Sequence, residues 1–363
     1  MLRGLLLIVF GAVVVAVVWS LLRRTLRRSD PPQPAELDST TQEPPALPAP
    51  APASGEVFLK LRELAFGVAL QEPAVGKHEE IVAAVSGTLE SVATEPRYAP
   101  RRPLLLPQLL RAVNDDETSR RELAGMIARD PALAGSLLML ANSPFYRIQA
   151  QPVESIDRAV ALLGTDGIRS LIATAIMQPV FRVAGGEFAR FPEVSWEHTL
   201  RSAAAVEAHA AIVENADPFA AQLLGLIMGL AEIVVFRVAM DQYSEHSQLR
   251  PDASLIASLI DAFAAPVARR IAASWDLSAR ILAALEDQAP ATPPHEPTPL
   301  GRSLRFGRLL GALAVLHAEG RIDEETARAA VDASGVGSPH AERIWMRLTG
   351  QRPRVRGVHT GRA

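Results

Sequence analysis

The stretch 121–146, RELAGMIARDPALAGSLLMLANSPFY, constrains the fold of this chain more than any other. Its apolar residues recur at helical spacing in two short runs: Leu123, Met126 and Ile127, then Leu133, Leu137, Leu138 and Ala141. Between the runs, Asp130 is placed to cap the second helix, and Pro131 suits its first turn, where a missing N–H costs nothing. Asn142-Ser143-Pro144 then stops that helix. In 152–181 the pattern continues. Ser155 caps a helix carrying Ile156, Val160 and Leu163, which Gly164 ends. The next carries Ile168, Leu171, Ile172, Ala175 and Ile176, and Pro179 ends it. No run of β-branched alternation bounded by turn residues is sustained anywhere, so the pattern predicts an all-α chain. Few aromatics (5%) and an apolar content of 48% rich in Ala and Leu favour closely packed helices as well.

The first residues predict a different environment. Residues 5–22, LLLIVFGAVVVAVVWSLL, run 18 residues without a charge. As a helix they would span about 27 Å, close to the hydrocarbon thickness of a bilayer. Only Arg3 precedes the run, whereas Arg23, Arg24, Arg27 and Arg28 follow it at once. That order is wrong for a cleaved signal peptide and predicts a retained single-pass transmembrane helix with everything after it in the cytoplasm. Residues 29–55 are rich in proline and poor in large apolar groups, which reads as an extended, disordered linker. A helical extension is expected over 56–100, with one amphipathic face at Ile81, Val82, Val85, Leu89 and Val92. A second proline-rich break, APATPPHEPTP, precedes helices expected over 300–350 and a basic tail at 351–363. Residues 219–240 are nearly all apolar, but Gln222, Glu232 and Arg237 interrupt them. Each charge at bilayer depth costs at least about 2.5 kcal/mol, so a buried core helix is the better reading. Glu232 must then find a partner across the core, because Arg237 lies about 140° away around the helix.

The ordered set Leu106-Pro107, Glu122-Leu123-Ala124, Ile127, Asp130-Pro131-Ala132-Leu133, Leu137-Leu138, Leu140-Ala141-Asn142-Ser143, Ser155-Ile156, Ala159 and Leu163-Gly164 resembles an HDOD domain, the bacterial HD-related output domain. The resemblance implies a two-lobed helical domain over 102–296 and a place in bacterial signal transduction, with the anchor in the inner membrane.

The same resemblance sets what a catalytic copy would need. HD-superfamily hydrolases hold divalent metal with one histidine, a His-Asp pair on a later helix and a further aspartate, and the metal activates water against a phosphoester. The first histidine corresponds to His198. In GLIMGLA, Met228 stands for the second histidine and Gly229 for its aspartate. Met offers a soft thioether and glycine no side chain, so neither suits a hard cation. Asp287-Gln288 stand where many relatives carry two histidines, and Gly307 and Arg308 where the last aspartate is expected. His198, on a helix with Trp196 and Leu200, reads better as a satisfied core histidine, and His209 eleven residues on as a neighbour on a similar face. With no cysteine, thiol chemistry, Fe–S clusters and cysteine-based zinc sites are excluded. There is no glycine-rich phosphate loop or G-x-S-x-G elbow, and the acidic trio Asp115, Asp116, Glu117 reads as a solvated helix start.

A net charge of −3 gives no general affinity for nucleic acid. The expectation is therefore a non-enzymatic, membrane-tethered signalling protein, without metal or cofactor, that recognises another signalling protein. Its candidate surfaces are 141–147 and 181–196, where aromatics and glycines look exposed; a plain inter-lobe loop competes for the second. The alternatives are a divergent metal-dependent phosphohydrolase with ligands drawn from elsewhere, and a nucleotide sensor without turnover. Against the latter, Met228 and Gly229 lower the polarity of the vacated pocket.

Overall fold

The computed structural model describes residues 54–73, 76, 78–92, 97–98, scattered positions between 124 and 174, 186–246, 248–289, 296–334 and 338–350. The anchor at 5–22, most of the linker, the acidic trio, most of 121–146 and the tail at 351–363 lie outside the described residues. By contacts the chain divides into Met1–Pro50 and Ala51–Ala363, and every described residue belongs to the second unit.

Every regular element among the described residues is helical. In chain order the α-helices are α1 (Ser54–Phe66), α2 (Glu79–Glu90), α3 (Phe191–His209), which continues into a π-helical turn (Ala210–Glu214), α4 (Pro218–Glu245), α5 (Ala253–Ser274), α6 (Ala279–Glu286), α7 (Pro299–Ala318), α8 (Glu324–Asp332) and α9 (Ser338–Thr349). The sequence writes their starts plainly. Asp217 caps α4 by accepting from the Phe219 and Ala220 amides, with Pro218 in the first turn. Asp252 does the same for α5 through Ser254 and Leu255, and Asp323 caps α8 through Thr326. The end of α7 is equally explicit: the Arg321 amide donates to Leu316 O and the Gly320 amide to His317 O, with Gly320 at φ 65°. That paired geometry needs a left-handed residue, which glycine supplies without strain.

Helix α3 is the axis of the body, packing most extensively on α7 and on α4. In turn α4 carries α5 and α2, while α1 lies on α7 and α3. The core is continuous from Val57, Leu61 and Phe66 of α1, through α3, α4, α5 and α7, to Ile344, Trp345 and Leu348 of α9. Helix α4 is the described helix long and apolar enough to cross a membrane, but 89% of its apolar window is buried inside the protein. Its hydrophobicity on all sides is that of a helix surrounded by others.

Candidate functional site

Of the positions that the resemblance assigns to a metal site, His198, Met228, Gly229 and Arg308 lie where α3, α4 and α7 meet. His198 is buried on α3, and its Nε2–H donates to the Arg308 carbonyl at 3.0 Å. A carbonyl only accepts, so that nitrogen carries the proton. Burial first, then the nearby guanidinium groups of Arg308 and Arg62, outweigh the attraction of Glu232 and hold the ring down to a pKa of about 4. His198 is thus a neutral, satisfied imidazole at ordinary pH. His209, three turns on, is also buried and faces Ser303 at 3.0 Å and the Phe306 ring. Because the Ser303 hydroxyl donates to Pro299 O, His209 Nδ1 must be the donor in that pair. Each histidine serves the α3–α7 contact separately.

Met228 is 3% exposed on the facing helix. At Gly229 the two helices come so close that an added Cβ would lie 2.6 Å from Thr199 Cγ2 and 2.8 Å from Thr199 Cβ. An aspartate there has no room. At Gly307 an added Cβ would lie 2.6 Å from the Val206 amide nitrogen, so α7 sits just as close on the other side of α3. Glycine at both positions is explained by helix approach. Asp287 and Gln288 also work structurally. Asp287 Oδ2 accepts from the Thr298 amide (2.8 Å) and hydroxyl (2.6 Å), and Gln288 Nε2 donates to Ala284 O and Gly301 O. Together they pin the start of α7.

What occupies the polar heart of this region is an ion-pair cluster. Glu232, one turn beyond Met228 and 2% exposed, takes Arg62 Nη1 on Oε2 at 2.9 Å and Arg308 Nη2 on Oε1 at 2.5 Å. Arg62 also reaches Asp261 at 3.3 Å. Burial alone would raise the Glu232 pKa, but the two guanidinium charges overcome it and bring it to about 2. Burial likewise opposes the charge on Arg62, yet Glu232 and Asp261 push its pKa above the usual arginine value. Phe58 closes the cluster, edge-on to His198 and under the Arg308 guanidinium at 5.3 Å.

The residues present do not fit a divalent ion. His198 Nε2 is committed to a carbonyl, Gly229 has neither ligand nor space, and each oxygen of the Glu232 carboxylate holds a guanidinium. Among the described residues no group of three or more His, Asp or Glu is placed to hold a metal.

Three residues of this cluster, Arg62, Arg308 and Phe58, were not predicted to meet. The need of Glu232 for a cross-core partner was legible, but Arg62 lies 170 positions away and no local pattern points to it. In the candidate surface at 181–196, residues 181–185 lie outside the described residues, and the expected exposure of the aromatics in 186–196 is corrected. The described part begins α3 at Phe191, which is fully buried and stacks on Phe236 at 4.2 Å between ring centroids. Phe188 packs edge-on to Phe66, and Trp196 lies half-buried against the core. These aromatics tie α1, α3 and α4 together and present no open face. In the other candidate surface Ala141 is buried, while 143–147 lie outside the described residues. Asn142 there does more than stop a helix. Its side chain accepts from the Val153 amide at 2.7 Å and donates to Val153 O and Leu138 O at 2.9 Å, joining the two segments of the motif.

The sequence signature of the HDOD domain matches residues 99–290, just over half the chain. No curated protein matches it. Among solved structures, two proteins of Shewanella amazonensis SB2B are similar. One, provisionally named a metal-dependent phosphohydrolase, is 17% identical with TM-score 0.48; the other, provisionally named a phosphohydrolase, is 20% identical with TM-score 0.49. Each alignment covers 74% of this chain and 98% of the other. An HDOD domain protein of unknown function from Geobacter sulfurreducens is 19% identical with TM-score 0.48, over 74% of this chain and 91% of that one.

Proposed function

This chain belongs to the HDOD family, and from that premise we propose that it is a non-enzymatic signalling protein that works by recognising another protein while held at the inner membrane. One observation carries the reading: at the position of the family's metal-binding aspartate, Gly229 packs against Thr199 with no space for a carboxylate. Without an ion there is no activated water, and in the buried His209–Ser303 pair the imidazole donates to the hydroxyl, so it is not placed as a base. A metal-dependent hydrolase, the activity in the names of the Shewanella proteins, would need a ligand set built from other residues.

Tethering supports recognition physically. A single-pass helix at 5–22 followed by a proline-rich spacer confines the helical body near the bilayer and raises its effective concentration toward membrane-bound partners. The test pairs two measurements on the full chain in native membranes. Crosslinking and pull-down should recover one reproducible partner that a chain lacking residues 1–28 recovers weakly or not at all. Alongside, purified protein with added Mn2+ should leave cyclic dinucleotides and bis(p-nitrophenyl) phosphate intact. Manganese-dependent turnover that survives repurification and is lost in His198→Ala would replace this reading with the hydrolase one.

A further inference from the structure

We propose that Arg62 and Arg308 are built-in cations. They supply permanently the positive charge that a divalent ion would bring beside His198, and they keep such an ion out. The inference does not depend on what the protein recognises.

Glu232, a carboxylate 2% exposed at the centre of an apolar helix, cannot stay ionised alone. Here each of its oxygens has its own guanidinium, one from α1 and one from α7. Both arginines are charged at every pH the protein meets. His198, the one metal-ligand residue the chain retains, sits in the field of this cluster, tied to the backbone of Arg308 itself. A dication arriving there would face two fixed positive charges at short range, with Glu232 already shared between them. Even with ligands restored at 228 and 229, the region would remain hostile to a metal.

The sources of the two charges add a second point. Glu232 lies inside the matched segment 99–290, but Arg62 precedes it and Arg308 follows it. The flanking helices therefore complete the electrostatics of the family domain. Helix α1 is the first described element after the spacer, and it is tied by Arg62 directly to Glu232.

The test uses the full chain in detergent micelles, titrated with Mn2+ and followed by electron paramagnetic resonance of the free ion. A ligand-restored protein carries Met228→His and Gly229→Asp, with Thr199→Gly to make room. With both arginines present it should leave the Mn2+ signal unchanged. Adding Arg62→Gln and Arg308→Gln should tighten Mn2+ binding at least about tenfold. Equal affinity with and without the arginines, whether tight or absent, would overturn the proposal. Should the restored protein fail to fold, the natural sequence still answers through Arg308→Gln, Glu232→Gln and the two combined. A charge-balanced unit requires the combined loss in Tm to fall clearly below the sum of the single losses. Simple additivity would refute it.

Discussion

At position 232 a carboxylate has been taken out of water and given two guanidinium partners, an exchange whose value depends on geometry because desolvation costs several kcal/mol per ion. Removing one member should hurt more than the pair is worth, since the others stay buried and unmatched. Glu232→Gln is expected to cost about 3–5 kcal/mol in chemical denaturation, against well under 1 kcal/mol for neutralising exposed Glu197, which pairs with Arg201 one turn away. The cluster also fixes how stability varies with pH. His198 titrates at about 4 in the folded protein, below its ordinary value of 6.5, so the unfolded chain binds its proton first. Its contribution is complete above pH 6.5 and is lost as pH falls toward 4, by at most about 3 kcal/mol. Glu232, lowered to about 2, acts in the same direction in the next window down, between its ordinary 4.5 and 2. Unfolding midpoints measured from pH 7.5 to 3.5 should fall once the pH drops below about 6.5, and His198→Gln should flatten the upper part of that fall. A flat profile between 6.5 and 4 would contradict a buried neutral imidazole.

Between elements, small residues decide how near α4 and α7 come to α3, and that nearness leaves no room for a longer side chain at 229. Gly229→Ala adds one methyl group where the Thr199 side chain already stands, its hydroxyl tied to Ser195 O. Overpacking of this kind costs about 1–3 kcal/mol, and Thr199→Ala in the same chain should recover part of it. Thermal unfolding of the three variants checks this; an unperturbed Gly229→Ala would mean that the helices have slack. The cap at Asp217 offers a local contrast. Its carboxylate serves only the first turn of α4, so Asp217→Ala should cost about 1 kcal/mol whatever stands at Thr199. At this scale two features were legible beforehand: the buried course of α4 and the amphipathic face of α2. Within 181–196 the turn at 186–190 is largely exposed, but the reading of its described aromatics as exposed failed because aromatics beside glycines look alike whether they cover a core or leave it. Only Phe66 and Phe236, distant in sequence, show that Phe191 is enclosed.

For the molecule as a whole, the family segment and the folding unit are different lengths of chain. Phe66 of α1 stacks within the aromatic group of α3 and α4, and α7 is the most extensively packed neighbour of α3. A fragment of residues 99–290 would expose the surfaces those helices cover and strand Glu232 without either arginine. Such a fragment should show no cooperative thermal transition and should bind a hydrophobic dye, whereas residues 54–350 should melt in a single step. Family membership, the helical class and the unsuitability of Met228 and Gly229 as ligands for a hard cation were all legible in the sequence alone. Each depends on residue type, periodicity or spacing within a few turns, which a linear chain displays directly. Tertiary structure alone decided that Gly229 is held against Thr199, that His198 is neutral and occupied, and that Arg62 and Arg308 stand on either side of Glu232. Those facts depend on distances between residues up to 170 positions apart, and such distances exist only once the helices have packed.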